Sequence, residues 1–193
     1  MSSPKEARMG RERHVVLIGL PGAGKTSIGR HLAKLLQRPF ADADEQLELT
    51  TGCTTSRLVG EQGDDELHRR ERQTLADLLG RYGPLVISAP GAVEIDRESR
   101  ALLARSAVVL WIRGPIGLLT DLSDPTHRPR LADGHHEALA RLERDLSALY
   151  EDVADHIVDI EPFHALDDEP KRTIARHILD LLTRHGVHPT EPT

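Results

Sequence analysis

The sequence predicts an α/β fold, a parallel sheet layered between helices. Two observations carry that prediction. Short β-branched runs alternate with longer amphipathic segments, the pattern of βαβ units. The runs at 14–19 and 107–112 are also nearly continuous apolar stretches, as strands covered on both faces must be.

Taken in order, the expected strands are His14–Gly19, Pro39–Asp42, Leu85–Ser88, Ala107–Ile112 and His156–Ile160. The expected helices carry apolar stripes at helical spacing. Lys25–Gln37 aligns Ile28, Leu32, Leu35 and Leu36. Asp64–Leu79 uses Leu67, Leu75, Leu78 and Leu79, and His136–Val153 uses Leu139, Leu142, Leu146, Leu149 and Val153. Glu169–Leu182 uses Ile174, Ile178, Leu181 and Leu182. Residues 1–12 read as a disordered polar tail, 13–185 as one domain and 186–193 as a flexible tail.

Composition narrows the function classes. The chain has 193 residues, 38% hydrophobic and only 3% aromatic. A single-strand nucleic-acid binder would want exposed rings for base stacking. Net charge is −6, and Arg69, Arg70 and Arg72 are interleaved with Glu66 and Glu71, so no basic stripe invites nucleic acid. No apolar run approaches the ~18 residues that would suggest a membrane span. The single cysteine, Cys53, excludes an intramolecular disulfide and fits a cytoplasmic location. No role is assigned to it.

Gly19-Leu-Pro-Gly22-Ala23-Gly24-Lys25-Thr26 matches G-x-x-x-x-G-K-[ST], between an expected strand and an expected helix, the context that makes this motif specific. Its backbone N–H groups and the helix N-terminus suit phosphate oxygens. Gly22, Ala23, Gly24, Lys25, Thr26 and Ser27 are therefore the expected nucleotide-binding residues. Lys25 is expected at the β/γ phosphates and Thr26 on Mg²⁺. Downstream, Asp42 and Asp44 end the next strand, where ligands of open α/β sheets sit. Two apart in a strand they would share a face, one to hold the metal and the other to take a proton from an attacking hydroxyl. Alternatively, Asp44 caps a helix starting at Glu45.

Gly22-Ala-Gly-Lys-Thr-Ser27, Phe40-Ala-Asp42-Ala-Asp44, Glu71, Arg128-Pro129, Leu149-Tyr150-Glu151 and Val153-Ala154-Asp155 follow one another in an order that resembles the shikimate kinase family. The resemblance covers about residues 13–185. It implies a three-layer P-loop nucleotide-kinase-like fold with five parallel strands and a lid over roughly residues 121–136, and Mg·ATP as donor. It implies that Asp42 helps hold Mg²⁺, that Asp44 binds the acceptor hydroxyls and that Arg128 contacts ATP phosphates. Catalytic roles thus fall to Lys25, Asp44 and Arg128, and the acceptor site to Asp44, His68, Glu71, Pro90 and Gly91.

The acceptor side departs from the family pattern. His68 and Leu146 stand where the family places arginines that grip the shikimate carboxylate. Ala89-Pro90-Gly91 replaces a triple glycine, and Asp121 replaces an arginine that packs on adenine, so purine selectivity is expected to relax. Leu146 also fits the apolar stripe of its helix, and Arg69 offers a substitute guanidinium about 100° around the helix from His68. Glu71 lies on the apolar stripe of its own helix and so requires partners, in an acceptor pocket or in an ion pair with a nearby arginine. His127, His135 and His136 read as solvated lid residues rather than metal ligands. The expected activity is ATP-dependent phosphorylation of a hydroxyl on shikimate or on a cyclitol or polyol like it, with the altered pocket favouring an acceptor that lacks a carboxylate. The alternative is a nucleotide-binding module that has lost acceptor catalysis and acts through a partner.

Overall fold

The computed structural model describes residues 13–90, 97–122, 135–160 and 168–190. The five strands are β1 (His14–Ile18), β2 (Phe40–Asp42), β3 (Val86–Ser88), β4 (Ala107–Arg113) and β5 (His156–Asp159). All pair in parallel, in the order β2-β3-β1-β4-β5. β1 lies at the centre and every residue of it is buried, which is why its sequence is an unbroken apolar run after His14. Each strand lies where the sequence places one, to within a residue or so.

The helices are α1 (Lys25–Leu36), α2 (Ala43–Thr51), α3 (Thr55–Gln62), α4 (Asp64–Leu79), α5 (Arg97–Ser106), α6 (Ile116–Leu122), α7 (His135–Val153) and α8 (Asp168–Arg184). Four of them, α1, α4, α7 and α8, are read from periodicity. The main core joins the sheet to these helices through residues such as Leu32, Leu78, Leu139 and Ile178, all fully buried. A second, smaller core of Leu47, Leu58 and Leu67 joins α2, α3 and α4. α4 belongs to both cores, so α2 and α3 form a shelf on it after the carboxyl end of β2.

Residues 186–190 differ from the flexible tail expected there. Val187 is fully buried, and its N–H donates to the Leu182 carbonyl at 3.0 Å. Thr190 N–H reaches Leu36 at the end of α1, 2.9 Å away. The apolar valine has a place in the core, and that holds the strand of polar residues around it. Residues 1–12 and 191–193 lie outside the described residues.

Candidate active site

The phosphate loop is shaped by close approach. Gly22 has φ +81°, and a Cβ there would stand 2.3 Å from the Leu119 carbonyl oxygen of α6. Only glycine meets both conditions. Gly24, also left-handed, is the N-cap of α1, so the first turn of α1 opens directly from the loop. Lys25 is buried, and its ammonium donates to the carbonyls of Gly19 at 2.9 Å and Leu20 at 3.1 Å. The cation thus folds back along the loop onto its carbonyl oxygens.

Thr26 Oγ1 donates to Asp42 Oδ2 at 2.6 Å. This contact spans two elements, and Gly29 makes room for it. One turn beyond Thr26, a Cβ at Gly29 would lie 2.7 Å from the Phe40 ring, so glycine lets α1 settle closely against β2. The other oxygen of Asp42, Oδ1, accepts from the N–H groups of Asp44 at 3.0 Å and Glu45 at 3.4 Å. Asp42 is therefore the N-cap of α2. This corrects two expectations. Asp44 neither caps the helix nor shares a strand face with Asp42, because β2 ends at Asp42 and Asp44 stands half-buried in the first turn of α2. It reaches the same end of the sheet by helix geometry instead.

On α4, Glu71 is 1% exposed and its Oε2 lies 3.4 Å from His68 Nδ1, one turn earlier. Glu71 is expected from the sequence either in an acceptor pocket or in an ion pair with a nearby arginine, and His68 is one of its neighbours. Arg69 and Arg70 turn away. Both bind Glu66, at 2.6 and 2.7 Å, and hold its carboxyl down at about 2. Arg69 does not stand in for an arginine at 68. Leu146 of α7 is buried in the main core, in agreement with its apolar stripe. Pro90, just past β3, is buried. Asp121 is exposed in the last turn of α6. His136 is exposed with Nδ1 3.4 Å from Thr120 Oγ1, joining α6 to α7, and among the described residues no three metal-ligating side chains gather. Gly91, His127 and Arg128 lie outside the described residues.

The scaffold is that of known enzymes. The family model for shikimate kinase matches residues 21–183. The chain belongs to the shikimate kinase family. It is 32% identical over 176 residues to a shikimate kinase of Aliivibrio fischeri, covering 90% of this chain and 98% of that one. A shikimate kinase of Mesorhizobium japonicum is 33% identical over 182 residues, 93% of this chain and 86% of that one. The solved structure of the Acinetobacter baumannii shikimate kinase in complex with shikimate superposes with a TM-score of 0.81 at 28% identity, over 94% of this chain and 98% of that one. The family places this chain among ATP-dependent kinases that phosphorylate a hydroxyl group, with the five-stranded P-loop kinase fold described above.

Ser88 was not singled out in the sequence. It closes β3, is 2% exposed and lies in register with Asp42. A polar residue closing a buried apolar strand was the available signal.

Proposed function

We propose that this chain transfers the γ-phosphoryl group of Mg·ATP to a hydroxyl of shikimate or a shikimate-like cyclitol, in the cytoplasm. The observation that carries the reading is the Thr26–Asp42 contact. It sets two hard oxygen donors side by side next to the phosphate loop, a donor set that suits Mg²⁺. Bound there with the nucleotide, the ion would neutralise charge on the phosphates. Gly22, Ala23, Gly24 and Ser27 bind phosphate oxygens around it. Lys25 and Arg128 stabilise charge on the transferring group. Asp44 orients the acceptor hydroxyl and takes its proton. Glu71 and His68 bind the acceptor from α4, together with Pro90 and Gly91.

One observation favours a second reading of the acceptor. Beside Glu71 stands a histidine, the neighbouring Arg69 and Arg70 are tied to Glu66, and Leu146 is core. A missing pair of charged hydrogen bonds, about 1.5–3 kcal/mol each, would weaken an anionic acceptor by roughly 10² to 10⁴. The test is phosphoryl transfer to shikimate and to neutral cyclitols at equal concentration. Transfer to shikimate with neutral analogues inert supports the first reading. The reverse supports an acceptor without a carboxylate. ATP hydrolysis without transfer to any acceptor would overturn both and leave a nucleotide-binding module.

A further inference from the structure

A groove of about 420 Å³ lies between α4 and α5, within the size range of small-molecule pockets. Its lining divides by chemistry. Leu75 and Leu79 belong to the main core and Leu102 packs against it, so their edges give the groove an apolar surface. Arg69, Arg72 and Arg105 add three guanidinium groups, against one carboxylate, Glu98. The whole chain carries a net charge of −6, so the groove's charge opposes that of the molecule around it. Arg69 and Arg72 are three residues apart and share a face of α4. Arg69 is held in place, since its Nε and Nη2 donate to the two oxygens of Glu66 at 2.7 and 2.6 Å. That fork uses two of the five N–H groups of a guanidinium and leaves the others for a ligand. Arg105 is exposed in the last turn of α5 and pairs with no carboxylate among the described residues. His68 and Glu71 lie about 100° around α4 from Arg69 and Arg72. The groove and the acceptor side are thus different faces of one helix.

We propose that this groove binds a soluble small molecule that carries an anionic group, a carboxylate, sulfonate or phosphate, on an apolar body. The guanidiniums recognise the anion through charge-assisted hydrogen bonds, and the leucines cover the body. Both halves are required. Exposed guanidiniums hold a bare anion weakly in water, and a neutral apolar compound gains nothing from them. The site needs neither the phosphate loop nor a metal, so it stands whatever the acceptor of the phosphoryl group is.

The test uses 8-anilinonaphthalene-1-sulfonate, an anion on apolar rings whose fluorescence rises on leaving water, and its uncharged counterpart N-phenyl-1-naphthylamine. Both are titrated into the full chain with ADP at saturation, so that the phosphate loop is filled. Two variants accompany the wild type. Arg105→Glu reverses one charge at an exposed position and leaves the core untouched. Ala76→Phe puts a ring into the groove from a half-buried position on α4. The wild type should bind the sulfonate at one saturable site per chain, and the uncharged probe at least about fivefold more weakly, the scale of one hydrogen bond to a charged group. Arg105→Glu should weaken the sulfonate by a similar factor, and Ala76→Phe should remove it. Melting curves check that each variant is folded, and Arg105→Glu carries the test should Ala76→Phe fail to fold. A titration of the wild type that never saturates overturns the site, as does displacement of the probe by ADP. Wild-type affinity in a folded variant overturns it too. Equal affinity for the two probes would show that the arginines recognise no anion there, and the proposal falls.

Discussion

Asp42 divides its carboxylate between two duties, and substitution can separate them. Oδ1 caps α2 and Oδ2 meets Thr26. Asp42→Asn keeps an oxygen for the cap but loses the charge. It should cost under about 1 kcal/mol in urea unfolding while raising the Mg²⁺ concentration needed for half-maximal turnover by roughly tenfold or more. Asp42→Ala should show the same metal defect and a further loss of about 1 kcal/mol from the uncapped helix. Superimposable Mg²⁺ titrations for Asp42→Asn and wild type would place Asp42 outside the metal shell. Lys25→Ala should lower phosphoryl transfer by at least about 10², the scale for losing a preorganised charge stabiliser, with the circular dichroism spectrum unchanged. Near-normal turnover would remove Lys25 from the mechanism.

Elements reveal what periodicity can and cannot disclose. β1 and β4 were legible because parallel strands buried on both faces leave long apolar runs, the shorter β2, β3 and β5 because they alternate with helical segments, and the four long helices because each sets a full stripe against the core. α2 and α3 rest on a minor core of three leucines. α2 gives that core Leu47, and α3 gives it Leu58 with Val59 beside it, too few for a stripe. α2 declares itself through its cap, and the cap is Asp42, a residue whose place after a strand already suggested chemistry. The loop lysine and threonine were legible from spacing. The His68–Glu71 pair was half legible, since an acid on an apolar stripe announces a partner without naming it.

β1 carries an element-scale prediction of its own. His14 is buried at the start of the strand, and its Nδ1 accepts from the Leu85 N–H at 3.1 Å. Burial pushes its pKa below the ordinary 6.5, so the fold favours the neutral ring. Stability from this site is therefore complete above pH 6.5. It falls as the pH drops below 6.5, where the unfolded chain takes up a proton that the folded chain refuses, and levels off once the folded state protonates too. His14→Asn keeps an acceptor for Leu85 without titrating. Its melting temperature should decline less than that of wild type between pH 7.5 and 5.5. Parallel declines would show that other groups govern the acid sensitivity.

For the molecule as a whole, the end of the chain acts on the helix that begins at the phosphate loop. Arg38, just beyond α1, is buried and donates to the carbonyls of Arg13 at 3.0 Å and His188 at 3.2 Å. Thr190 bonds Leu36, and Val187 fills the core beside α8. Burial lowers the pKa of Arg38, a sign that this guanidinium depends on its carbonyl partners for compensation. Deleting residues 186–193 would expose the valine site, worth about 1.5–3 kcal/mol, and would take one carbonyl from a buried cation. A loss on the order of 2–4 kcal/mol follows. These contacts grip the far end of α1, eleven residues beyond Lys25, so turnover well below the melting temperature should survive the deletion. The urea midpoint should fall, with the m-value nearly unchanged because the folded core stays compact. An unmoved midpoint would mean that Val187 and its neighbours add nothing to the fold, and would return residues 186–190 to the flexible tail that their polar composition suggests.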